Sequence, residues 1–202
     1  MYVQVFQGRT SDPAAMHGHM EDWERTLGRD ATGWLGTTAG VTEDGRTIAL
    51  ARFESEEAAR ANSDRPEQGE WWSGMEALYD GDPSFLDCRI VDVELMGDPD
   101  EAGFVQVMQG RSSDVEQARS LMNDSGLDLS QARPDILGTL WAANADGDWT
   151  MAIYFASEEA AREGEQREMP ADMVAVMEQI NALETREPTY FDLRDPWLAG
   201  PG

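Results

Sequence analysis

Val3-Gln4-Val5-Phe6-Gln7-Gly8-Arg9-Thr10-Ser11-Asp12 returns, at a constant offset of 102, as Val105-Gln106-Val107-Met108-Gln109-Gly110-Arg111-Ser112-Ser113-Asp114. The same offset carries Leu35-Gly36-Thr37 onto Leu137-Gly138-Thr139 and Asp44-Gly45 onto Asp146-Gly147. It also carries Ser55-Glu56-Glu57-Ala58-Ala59-Arg60 onto Ser157-Glu158-Glu159-Ala160-Ala161-Arg162. No gap is needed as far as Met75 and Met177, and roughly a third of the aligned positions are identical, far above chance for an ungapped stretch of this length. The chain is a tandem duplication. Its repeats are expected at 1–97 and 104–202, joined by the linker 98–103, whose Asp98-Pro99-Asp100 and Gly103 have loop composition.

Each repeat reads as β-α-β-β-α-β. Tyr2–Gln7 alternates and is β-prone. Ser11 or Asp12 ahead of Pro13 starts a helix, because proline tolerates an early helical position where its missing N–H is not needed. Met16, Met20, Trp23 and Leu27 fall at helical spacing and mark its buried stripe. Gly33–Thr42 and Arg46–Phe53 form a hairpin around Asp44-Gly45. Ser55 caps a second helix that breaks near Asp64-Arg65-Pro66 and resumes through Trp71, Met75 and Leu78. Ser84–Met96 supplies the fourth strand. In the second repeat the register slips by three residues, so that Pro188–Asp192 answers Pro83–Asp87. The stretch Asp195-Pro196-Trp197-Leu198 is expected on a neighbouring sheet edge or on the other repeat.

Composition excludes several classes. The formal charge is −25, from 40 acidic and 15 basic residues, and every basic residue is arginine. Such a field repels phosphate backbones and anionic lipid, so neither nucleic acid nor a membrane surface is an expected partner. Without lysine there is no Schiff base, pyridoxal-phosphate lysine or Walker A lysine. No apolar run reaches the roughly 18–20 residues of a membrane span. Met1 leads directly into a strand-like segment without signal-peptide character, and the single cysteine, Cys88, has no internal partner; both predict a cytoplasmic protein.

The β-α-β-β-α-β order is that of a ferredoxin-like unit, an α+β fold with helices on one sheet face. The other face is also apolar here, since Val3 and Val5 alternate with Tyr2 and Phe6, and it calls for a second sheet. With the Phe53–Ala59 strand-to-helix junction, its twin from Phe155, and the Ser63-Asp64 break before an aromatic helix, the chain resembles the dimeric α+β barrel superfamily, in its antibiotic-biosynthesis-monooxygenase-like group. The resemblance implies an intrachain pseudo-dimer, monomeric as a chain, with further dimerisation open. The family spans cofactor-free oxygenases of polycyclic phenols, haem-degrading enzymes and polyketide cyclases, so fold leaves function open. Haem-degrading relatives bind iron through a histidine of the second helix; Glu67-Gln68-Gly69-Glu70-Trp71-Trp72 offers none, and no cofactor is expected.

The copies disagree where a site would lie. If Phe53 and Phe155 face the helices, that face carries Thr47, Ala49 and Ala51 in repeat one against Trp149, Met151 and Ile153 in repeat two. The opposite face carries Ile48, Leu50 and Arg52 against Thr150, Ala152 and Tyr154, large against small as sheet packing requires. Helix positions His19, Trp23, Trp71 and Trp72 answer to Leu121, Ser125, Met173 and Val174. Repeat one therefore predicts an aromatic-walled pocket for a small aromatic ligand, bound by Trp23, Ala49, Ala51, Arg52, Asn62, Trp71 and Trp72. His19 is the candidate general base, and Asn62 or Arg52 the candidate oxyanion partner. His17 and His19 diverge on a helix, so no metal site is expected. Repeated Gln-Gly-Arg reads as architecture, and Cys88 lacks an activating neighbour. Three functional classes follow: a cofactor-independent oxygenase or cyclase, a non-catalytic binder, or a structural protein whose tryptophans fill the space.

Overall fold

The offset of 102 is written into the backbone as well. The computed structural model describes residues 1–125 and 129–201. Its elements in chain order are β1 (Tyr2–Arg9), α1 (Pro13–Thr26), β2 (Trp34–Val41), β3 (Arg46–Phe53), α2 (Glu56–Ser63), α3 (Pro66–Glu76), β4 (Ser84–Cys88) and β5 (Ile90–Leu95). They continue with β6 (Phe104–Ser112), α4 (Val115–Asn123), α5 (Leu129–Ala132), β7 (Ile136–Ala143), β8 (Asp148–Phe155), α6 (Glu158–Glu165), α7 (Ala171–Asn181), β9 (Glu184–Leu193) and β10 (Trp197–Ala199). Two compact units result. Unit 1 comprises Met1–Ile90 together with the segment from Asp195 onward; unit 2 is Val91–Arg194.

The sheet of unit 1 has the order β10-β2-β3-β1-β4 and that of unit 2 the order β5-β7-β8-β6-β9. Without the outer strands β10 and β5, each is the four-stranded antiparallel sheet of a ferredoxin-like α+β repeat. The fourth strand departs from expectation. Ser84–Met96 is not continuous but two strands separated at Arg89. The Arg89 guanidinium donates two hydrogen bonds of 2.7 Å to the Glu56 carboxylate at the start of α2, which holds the chain there. β4 stays beside β1, with Val3 opposite Cys88. β5 joins the sheet of unit 2, where the amides of Met96 and Gly97 both donate to the Leu137 carbonyl. The strand after unit 2, β10, completes the sheet of unit 1 by pairing with β2. The three-residue slip is visible in the pairing: Val3 faces Cys88, while Val105 faces Leu193.

Both units close around the same positions. Tyr2, Trp34, Phe53 and Ala59 are packed together in unit 1, and their counterparts Phe104, Ile136, Phe155 and Ala161 in unit 2. The repeated segments are scaffold. Ser55 and Ser157 cap α2 and α6 by accepting the amides of Ala58 and Ala160, each at 3.2 Å. Arg9 and Arg111 donate to the carbonyls of Asp44 and Asp146, tying a strand end to the neighbouring hairpin turn. Those turns need Gly45 and Gly147 at φ +80° and +96°. Gly8 and Gly110 leave room for a ring: an added Cβ would lie 2.5 Å from Tyr79 and 2.4 Å from Trp149.

Candidate functional site

Unit 1 contains a cavity of about 320 Å³ between its sheet and its helices. The floor is made of small residues, with Ala39 and Gly40 from β2, Thr47, Ala49 and Ala51 from β3, and Ala199 from β10. Strand pairing places Gln4, Phe6 and Thr37 on the same floor, because Phe6 and Ala39 flank Ala49 while Gln4 and Thr37 flank Ala51. The roof is Met16, Met20 and Trp23 of α1, Asn62 and Ser63 of α2, and Gln68, Gly69, Trp71, Trp72 and Met75 of α3. Tyr79, Phe85 and Trp197 close the sides.

The space is open because the floor lacks side chains, as the comparison of repeats predicts. Ala39, Thr47, Ala49 and Ala51 correspond to Trp141, Trp149, Met151 and Ile153. In unit 2 both tryptophans are buried, at 5% and 8% exposure, and Trp149 donates its indole N–H to Glu184 at 2.9 Å. The structural reading in which the tryptophans of repeat one fill their own cavity is therefore overturned. Those rings line the walls, most of them tilted against one another. Phe6 lies 5.4 Å from both Trp72 and Phe85, and Trp23 meets Trp34 at 4.9 Å and 79°.

Most of the expected ligand-binding residues come together. Trp23, Ala49, Ala51, Asn62, Trp71 and Trp72 all line the cavity. Arg52 does not. It alternates with Ala51 to the opposite face of β3, where its guanidinium lies against Gly36. His19 does not either. Its ring stacks on Trp71 at 5.2 Å and 5°, and its Nε2 lies 2.9 Å from the Trp71 carbonyl oxygen. A carbonyl only accepts, so Nε2 carries the proton and donates; it has no lone pair to offer a substrate. Trp71 Nε1 returns a bond of 2.9 Å to the His19 carbonyl. The pair is a reciprocal clamp between α1 and α3, tight enough that a Cβ on Gly74 would lie 2.8 Å from the imidazole. Helical spacing beside the Met16/Met20 stripe does not by itself separate a residue facing the cavity from one facing the neighbouring helix.

The polar groups of the lining are mostly engaged. Asn62 Oδ1 accepts from Arg65 at 3.1 Å, which leaves its amide N–H groups as the end the cavity can use. Gln68 Oε1 accepts from Trp23 Nε1 at 2.6 Å, and Thr37 Oγ1 from Trp34 Nε1 at 3.0 Å. No Asp, Glu, Arg or His belongs to the lining, and its one titratable side chain is Tyr79, whose phenol burial pushes above its ordinary pKa. Several contributors escaped the sequence reading. Ala39 was detectable at the same offset, since its counterpart is Trp141. Trp197, stacked on His17 at 4.6 Å, corresponds to Asp92 only at the slipped offset of 105, so the constant offset of 102 does not bring it into the comparison. Among the described residues no group of three His, Cys, Asp or Glu could hold a metal ion, and no helix is long and apolar enough to cross a membrane.

No family model and no curated protein matches the sequence. Solved structures do match, over the whole chain. A "putative monooxygenase" from Lactobacillus acidophilus NCFM aligns with 100% of this chain and 96% of its own, at 11% identity and a TM-score of 0.75. A protein of the same name from Fusobacterium nucleatum gives 100% and 94%, at 9% identity and 0.72. An anthrone oxidase-like protein gives 100% and 94%, at 13% identity and 0.70. The fold is the one these proteins share. The expected fold class, two tandem ferredoxin-like α+β repeats, is the one observed. At these identities the likeness is one of fold, which leaves the chemistry to the cavity.

Proposed function

We propose that unit 1 binds a planar, mainly apolar small molecule in the cavity over Ala39, Ala49 and Ala51. The observation that carries this reading is the stripped floor: four positions that are bulky in unit 2 are Ala or Thr in unit 1, beneath an aromatic roof. The volume of about 320 Å³ falls at the lower end of small-molecule sites, enough for two or three fused rings. Calorimetric titration with 2-naphthol tests it. Saturable binding at one site per chain is expected; no heat of binding at millimolar probe overturns the reading.

A second reading, cofactor-independent oxygenation, is favoured by the names of the full-length structural neighbours. It requires the substrate proton to leave. With no carboxylate or imidazole in the lining, a substrate oxidised here gives up its proton to bulk solvent and enters as the phenolate, and Asn62 steadies that oxyanion. Oxygen uptake and an oxidised product on incubation with 2-naphthol in air distinguish this reading from binding alone. In either case His19→Leu, which installs the residue found at 121, leaves the probe's affinity within about twofold, a change below roughly 0.5 kcal/mol. A tenfold loss without loss of folding returns His19 to the site.

A further inference from the structure

One buried hydroxyl in the cavity forms no hydrogen bond of acceptable geometry. Thr47 is 3% exposed, lines the floor opposite Gly8 of β1, and its Oγ1 has no hydrogen-bond partner. Each of the other polar side chains of the lining has at least one partner within the protein. Gln4 donates to Asp87, Thr37 accepts from Trp34, Asn62 from Arg65 and Gln68 from Trp23, while Ser63 donates to the Ala59 carbonyl. At the corresponding position of unit 2 the polar atom, Trp149 Nε1, is also satisfied, by Glu184. A buried hydroxyl left unpaired lowers stability and calls for a reason.

Its neighbour supplies one. The Tyr79 ring lies over Gly8, which brings the phenol to the same end of the cavity. Burial raises the Tyr79 pKa and the nearby Thr47 hydroxyl offsets part of that rise, so the phenol is a neutral donor. The two hydroxyls nevertheless do not meet in hydrogen-bonding geometry. Two O–H groups therefore converge on one end of a mainly apolar chamber, and no cation lines it to receive a carboxylate or phosphate. We infer that this end is an oxygen subsite, where Thr47 and Tyr79 hold an uncharged carbonyl or hydroxyl oxygen on the rim of the bound ring system. The inference rests on the binding function proposed above and adds the ligand's chemistry and direction to it.

The test compares 1-tetralone with tetralin, its oxygen-free counterpart, by titration of the intact chain. Wild type is expected to prefer the ketone by about tenfold, the effect of one buried hydrogen bond. Thr47→Val reduces the preference to about twofold or less and raises the ligand-free melting temperature because an unpaired hydroxyl is gone. Tyr79→Phe, which keeps the ring over Gly8, weakens the preference independently should Thr47→Val fold poorly. Equal binding of the two probes by wild type overturns the inference and leaves the binding function standing. So does a preference that survives both substitutions, since another group then holds the ketone oxygen. Failure of both probes to bind overturns the two readings together.

Discussion

Ala49→Met combined with Ala51→Ile closes the cavity to ligand and raises the melting temperature of the protein. Both side chains are those of the second repeat at the same register, on a central strand whose neighbours Phe6, Ala39, Gln4 and Thr37 stay unchanged. They project into the space beneath Trp71 and Trp72, so planar probes lose at least about 100-fold in affinity, roughly 2.8 kcal/mol. Filling an apolar cavity adds about 0.5–2 kcal/mol of stability, or roughly 1–8 °C for a chain of this size. Calorimetric titration and scanning calorimetry measure both effects. The opposing signs are the point: a cavity left by imperfect packing gains stability and loses nothing when filled, whereas a site loses its ligand. Retained 2-naphthol binding in a stabilised double variant places the ligand elsewhere.

Trp71→Ala lowers stability by about 3 kcal/mol, the lower end of the range for a tryptophan removed from a packed site, because one face of this ring borders the cavity. Lost with it are the stack on His19, the bond from its indole N–H to the His19 carbonyl, and contacts with Trp23 and Trp72 at ring distances of 6.2 Å. The melting temperature falls by roughly 6–12 °C. Trp71→Phe separates the contributions: it keeps an aromatic ring and loses the N–H donor, which costs about 1 kcal/mol. Equal losses in the two variants would assign the stabilisation to the hydrogen bond alone and remove packing from the account of this wall.

The sequence made the fold legible because the duplication doubled each signal. Ser55 and Ser157 both precede Glu-Glu-Ala-Ala, and both cap a helix. It also located the cavity, since strand alternation puts Thr47, Ala49 and Ala51 on one face, and sheet pairing is regular across β3. Alternation likewise separates Arg52 from Ala51, so its placement in the site was at odds with its own strand parity. His19 is a different case. Its role follows from which way α3 presents the Trp71 carbonyl, a tertiary detail that no spacing rule contains. The break at Arg89 is silent within Ser84–Met96, which has no internal proline or glycine, and only the slipped register shows it, where Arg194-Asp195-Pro196 interrupts the second repeat and Arg194 pairs with Glu158 as Arg89 does with Glu56.

The placement of β10 imposes an order of events on the ribosome. Its residues are synthesised only after all of Val91–Arg194, so the sheet of unit 1 waits for its outer strand while the whole of unit 2 is being made. At ~5–20 residues per second that delay is on the order of ten seconds. During it, nascent unit 1 exposes the free edge of β2 and lacks the Trp197 wall of its cavity. Unit 1 is the earlier half of the gene product and the later half to mature.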